Sequence, residues 1–122
     1  MQLPNSAEAY IQIKKLTDYL LSESHKDGKA KAKFFRELGF DKANVKVLEN
    51  ELLHVARNNP VTSVIESTYG LKYVIVGKIE SPLGKMVSVL TVWIVDTGRT
   101  RPRFVTSPST QKGQLLEWRQ LK

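Results

Sequence analysis

Residues 86–96 read MVSVLTVWIVD, eleven residues in which apolar side chains fill both sets of alternating positions. A period of two places Val87, Val89, Trp93 and Val95 on one face and Leu90, Val92 and Ile94 on the other. A strand with one wet face alternates apolar and polar residues. One that is apolar on both sides is expected in the middle of a sheet, covered by helices on one side at least.

The neighbouring segments extend that strand into a meander. Upstream, SPLGK (81–85) makes a hairpin connection to a strand over 72–81, with Tyr73, Ile75 and Ile79 on one face and Val74 and Val76 on the other. Tyr69-Gly70 is a turn, and Val61 to Ser67 is the first strand, opening after Pro60. Downstream, DTGR (96–99) turns the chain into a fourth strand, Arg103 to Ser107. Trp93 and Tyr73 are expected in the core, because aromatics at period-two spacing pack between sheet and helices.

Before Pro60 the apolar period is helical. Ile13, Leu16, Leu20 and Leu21 predict a short helix, ended by SESHKDG (22–28). Ala30, Phe34, Phe35 and Leu38 predict a second over Lys29–Leu38, with Gly39 as its C-cap. Asp41 or Asn44 caps a third, running to about Asn58, whose buried stripe is Val45, Leu48, Leu52 and Val55 or Ala56. His54 flanks that stripe and reads as a half-exposed helix residue without a catalytic partner. The expected fold is α+β: N-terminal helices packed on one face of an antiparallel sheet of about four strands. It forms a single domain over 1–108, followed by a polar C-terminal tail, 109–122, in which QLLEWRQLK (114–122) suits a short helix.

Nineteen Lys and Arg against twelve Asp and Glu give a net charge of +7, and the excess is clustered. Lys26, Lys29, Lys31, Lys33 and Arg36 form one group; Arg99, Arg101 and Arg103 form another. A basic field concentrates polyanions, so the expected partner is a nucleic acid or an acidic protein. No apolar run approaches the roughly 20 residues of a membrane span, no long helix joins a basic face to a broad apolar one, and the N-terminus lacks a signal-peptide core. The expectation is a soluble cytoplasmic protein with no membrane contact. The absence of cysteine excludes disulfides and thiolate chemistry. No His and carboxylate cluster has ligand spacing, so neither a metal nor another cofactor is expected.

The densest chemistry is HKDGKAKAKFF, residues 25–35. Gly28 lets the chain approach closely at a turn, and the helix that follows presents unpaired N–H groups and a partial positive charge. On this basis Gly28, Lys29, Lys33 and Arg36, with Arg101 from the second cluster, are candidate phosphate and RNA contacts. The plainer alternative is a solvated helix face.

The chain resembles a small bacterial family of unknown function through five motifs in order. These are Leu3-Pro4-Asn5; His25, Gly28, Lys31-Ala32 and Phe35; Tyr69-Gly70 with Tyr73; Val92-Trp93-Ile94-Val95; and Pro102 to Thr106. That family in turn resembles the ribonuclease toxin group that includes barnase, EndoU, colicin and RelE nucleases, built as helices followed by a four-stranded antiparallel sheet. Where relatives place an aromatic residue shortly after the threonine, this chain has Ser107-Pro108-Ser109. The resemblance implies four catalytic residues. His25 would take a proton from a ribose 2′-OH or give one to the leaving 5′-oxygen. Lys31 would hold the phosphate in its transition state, and Arg103 and Thr106 would add a cation and a hydroxyl. It further implies a metal-independent endoribonuclease, the toxin of a bacterial toxin–antitoxin pair, acting on RNA and neutralised by a small acidic antitoxin. The reading from a different class is a non-catalytic basic module that binds nucleic acid or an acidic protein.

Overall fold

Four antiparallel strands pair in chain order: β1 (Val61–Ser67), β2 (Gly70–Glu80), β3 (Met86–Asp96) and β4 (Arg103–Thr106). The structure, a computed structural model, describes residues 1–22 and 29–107, and for residues 29–31 the backbone alone. Residues 109–122, expected as a tail, lie outside the described residues.

The strand β3 sits between β2 and β4, as its double apolar pattern requires. Tyr73 faces Trp93 across β2 and β3, and Trp93 faces Phe104 across β3 and β4, so three rings line one row of the helix-facing side. Trp93 and Phe104 meet edge to face, with centroids 5.3 Å apart. The Trp93 indole donates to Thr91 Oγ1 at 2.8 Å, and Thr91 donates to the Ile75 carbonyl at 2.8 Å, so both buried polar groups are satisfied.

The helices cover this face. Helix α1 (Ile13–Lys15) continues as a π-helical turn, Leu16–Leu20, in which the Leu21 amide donates to the Leu16 carbonyl, five residues back. Helix α2 (Lys29–Glu37) ends as expected at Gly39, whose φ of +98° only glycine adopts cheaply. The Phe40 amide then bonds back to the Phe35 carbonyl. Asp41 caps a single 3-10 turn, Lys42–Asn44, by accepting from Ala43 and Asn44, and α3 (Val45–Asn58) follows. Leu48, Leu52, Val55 and Ala56 of α3 are buried against the sheet together with Leu16, Leu20, Phe35 and Ile75. His54 is exposed and, among the described residues, bonds along its own helix to Asn58.

Three details differ from the sequence reading. The strand β2 begins at Gly70, two residues earlier than expected, and β4 stops at Thr106, one earlier. The N-terminal segment, which has no periodic pattern, joins the sheet: the Tyr10 amide donates to the Pro102 carbonyl and Phe104 donates to Tyr10, extending the β4 edge in parallel. Arg57 of α3 pins that segment through the carbonyls of Ser6, Ala7 and Ala9. On the face away from the helices, Val74, Val92, Ile94 and Val105 make a second, smaller apolar cluster flanked by Ile65 and Leu90.

Candidate functional site

The parallel bridge between Tyr10 and Arg103 brings α1, the π-helical turn, β4 and the end of β3 to one corner of the sheet. There, Arg103 makes two hydrogen bonds to the carboxylate of Asp96, Nε to Oδ2 at 2.8 Å and a terminal nitrogen to Oδ1 at 3.0 Å. The bond from Arg103 is the main reason the Asp96 carboxyl lies below the ordinary carboxylate range. The same bond raises the guanidinium's pKa.

A second cation stands close by. The Lys15 ammonium lies 5.3 Å from the centre of the Tyr19 ring. Burial, and then the charge of Arg103, hold it below the usual lysine range. The Tyr19 phenol and the Thr106 hydroxyl share a hydrogen bond of 3.0 Å. Beside them Arg101 stacks its guanidinium 4.1 Å from the centre of the Tyr10 ring and donates to the Glu8 carbonyl at 2.6 Å. Among the described residues this corner therefore gathers Lys15, Arg101 and Arg103, and Asp96 pairs with one of them.

The residues singled out in the sequence fall into three groups. Arg103 and Thr106 share the corner, but Thr106 is fully buried and meets Tyr19, so it reaches a bound group only through that phenol. Arg36 donates twice to the Leu21 carbonyl, at 3.2 and 2.9 Å, and so ties α2 to the end of the π-helical turn. Lys33 is exposed on α2. His25 and Gly28 lie outside the described residues; Lys29 and Lys31 belong to the first turn of α2, and their side chains lie outside them too.

Lys15, Tyr19, Asp96 and Tyr10 were not anticipated. Lys15 and Tyr19 stand four apart, a spacing that puts them on one helical face, and this was the available signal. Asp96 read as a turn residue. Its pairing with Arg103 follows only from the β3–β4 register, in which Ile94 faces Arg103. Two open grooves, each of about 530 Å³, flank the other end of the β2–β3 hairpin, one beside Leu83 and the other beside His54. Their linings reach Val76 on β2 and Ser88 on β3, four and six residues along the strands from the row of Lys72, Ile94 and Arg103, or roughly 13 and 20 Å.

The architecture is an α+β domain, helices first and then an antiparallel meander, with a cationic corner on its last strand. Residues 2–110 match the family described as a domain of unknown function (DUF6883), and the chain belongs to that family. Among solved structures, a chain of a contact-dependent growth inhibition toxin–immunity protein complex from Klebsiella pneumoniae 342 has a similar fold. The TM-score is 0.64 at 21% sequence identity, over 84% of this chain and 93% of that one. No curated protein matches the sequence. Among the described residues no helix is long and apolar enough to cross a membrane, and no three His, Asp or Glu side chains are grouped as a metal site would require.

Proposed function

We propose that this protein is a toxin that acts as a metal-independent endoribonuclease. The observation that carries the reading is the corner in which Lys15, Arg101 and Arg103 gather beside the Tyr19–Thr106 hydrogen bond, with Asp96 pairing Arg103. Among the described residues, three cations against one carboxylate leave the corner with an excess of positive charge that an anion would balance, and a phosphodiester is the anion an RNA would bring. The similar fold in a toxin–immunity protein complex supports the toxin class and a protein that neutralises it. With a net charge of +7, the chain suits an acidic antitoxin or immunity protein.

In this reading the ribose 2′-oxygen attacks the adjacent phosphorus and the bond to the 5′-oxygen breaks, leaving a 2′,3′-cyclic phosphate and a 5′-hydroxyl. His25 takes the 2′-proton or delivers one to the departing oxygen. Lys31 and Arg103 hold the extra negative charge of the five-coordinate phosphorus. Thr106 positions the Tyr19 phenol beside Lys15. Gly28, Lys29, Lys33, Arg36 and Arg101 would contribute to holding the strand.

The test is RNA cleavage by the purified protein in EDTA, with His25→Ala and Lys31→Ala as variants. Each is expected to lose at least about 100-fold in rate, the scale of a general acid–base or phosphate-stabilising group, with an unchanged melting temperature. Salt-dependent RNA binding without cleavage, weakened gradually by many Lys and Arg substitutions, would instead establish a non-catalytic binding module.

A further inference from the structure

Arg101 is exposed, yet it is held in one place. Its guanidinium carbon lies over the Tyr10 ring, 4.1 Å from the centre, while Nε donates to the Glu8 carbonyl at 2.6 Å. An arginine at the surface ordinarily keeps its rotamer freedom, and a ligand must then order it; here much of that freedom is lost before any ligand arrives. The frame beneath is fixed as well. The Tyr10 amide donates to the Pro102 carbonyl and the Tyr10 carbonyl accepts from the Phe104 amide, so the ring is carried on the sheet edge. The Asn5 side chain donates to the Thr100 carbonyl, next to Arg101. Because the bond to Glu8 goes to a backbone carbonyl, it leaves the positive charge of Arg101 in place.

We propose that Arg101, backed by Tyr10, is a stacking platform for an unpaired nucleobase of single-stranded RNA, beside the cations that take the phosphate. The inference rests on the reading of this corner as an RNA site and names the part of the RNA that it recognises. One face of the guanidinium rests on the Tyr10 ring, and Arg101 is exposed, so the opposite face is the one open to a ligand. A flat, weakly hydrated cation suits the π-system of a base. Bases inside a duplex are already stacked on their neighbours, so an unpaired base is the one that can use this face. The spacing suits a nucleotide. Arg103, bridged in parallel to Tyr10, stands two residues beyond Arg101, at most about 7 Å from Cα to Cα. A base on Arg101 therefore keeps its own backbone phosphate near Arg103. Lys15, over the Tyr19 ring, carries a compact ammonium with no plane to offer and serves the phosphate alone.

The probes are a short single-stranded 2′-O-methyl RNA and its abasic counterpart, which has the same phosphates and no bases. Neither can be cleaved by 2′-oxygen attack, so binding is read apart from catalysis. By fluorescence anisotropy the full chain is expected to bind the complete strand about tenfold more tightly than the abasic one, the scale of one stacked base. Arg101→Lys keeps the charge but loses the plane; it should bind the two strands alike, at the parent's affinity for the abasic one. Tyr10→Phe keeps the ring and should keep the preference. An unchanged preference in Arg101→Lys overturns the platform and leaves the RNA reading standing. Equal loss of affinity for both strands overturns it too, by making Arg101 a phosphate contact. A parent chain that binds neither strand overturns the platform and the RNA reading together.

Discussion

Arg103 closes on Asp96 with two nearly parallel hydrogen bonds, 2.8 and 3.0 Å long, across the turn that joins β3 to β4. Both side chains are about three-quarters buried, 22% and 26% exposed, so the pair is sheltered from full solvent screening. Its charge-assisted bonds should contribute about 1–2 kcal/mol. Because Arg103 depresses the Asp96 pKa, the folded state favours the carboxylate. The contribution is therefore complete above the unfolded carboxyl value of about 3.9 and is lost as pH falls through the lower folded value. Asp96→Asn should lower stability by that amount at pH 7 and by progressively less as pH falls below the unfolded carboxyl value, as chemical denaturation over a pH series will show. It should also leave Arg103 unpaired and strengthen binding of inorganic phosphate.

Gly70 begins β2 with a φ of +144°, a conformation open to glycine and costly for other residues. A β-carbon there would collide with the Val95 carbonyl oxygen of the neighbouring strand. Gly70→Ala is expected to cost on the order of 3 kcal/mol, combining backbone strain with displacement of the central strand. Thermal unfolding checks it, against Gly98→Ala, where φ is +79° but nothing lies within 4 Å of the added carbon. The second variant should lose only the smaller conformational part.

The contrast between sheet and site shows what a sequence can carry. The order of β1 to β4 and the faces of Tyr73, Val74, Trp93 and Ile94 follow from alternation, because burial acts on every second residue and leaves a periodic trace. The stripe of Leu48, Leu52, Val55 and Ala56 does the same for α3. The Lys15–Arg103 corner leaves no trace, since its parts lie 88 residues apart and meet only through the Tyr10 bridge. That bridge is made by backbone groups of an aperiodic segment. The π-helical turn is equally silent, because an i+5 bond demands no particular residue. Arg103 and Thr106 were reachable only through motif resemblance, and the structure adds the partner of each.

The Tyr19–Thr106 bond couples the π-helical turn to the last strand inside the core. Tyr19→Phe leaves the Thr106 hydroxyl buried without that partner, at a cost of about 1–2 kcal/mol. Thr106→Val should cost a similar amount by removing the same bond from the side of the strand. The double variant should cost less than the sum of the two by about 1 kcal/mol, a coupling that denaturant titration of all four proteins resolves. Additive costs would mean that the bond does not join the two elements.

Lys15 separates function from stability most sharply. Its folded pKa lies below the ordinary 10.5, so the charged form is disfavoured by folding. The unfolded chain then binds more protons between the folded value and 10.5, and stability should rise with pH across that interval. In Lys15→Met the rise should be missing. Near pH 7 the variant should lose no more than about 0.5 kcal/mol, and could gain, because a desolvated like-charge pair is replaced by one cation and an apolar stem. Phosphate or oligonucleotide affinity should meanwhile fall about tenfold, the equivalent of one charge-assisted contact of about 1.4 kcal/mol. Calorimetric titration and thermal unfolding of the same samples make the comparison. Undiminished affinity would remove Lys15 from the anion site, and a large loss of stability would recast it as a structural cation.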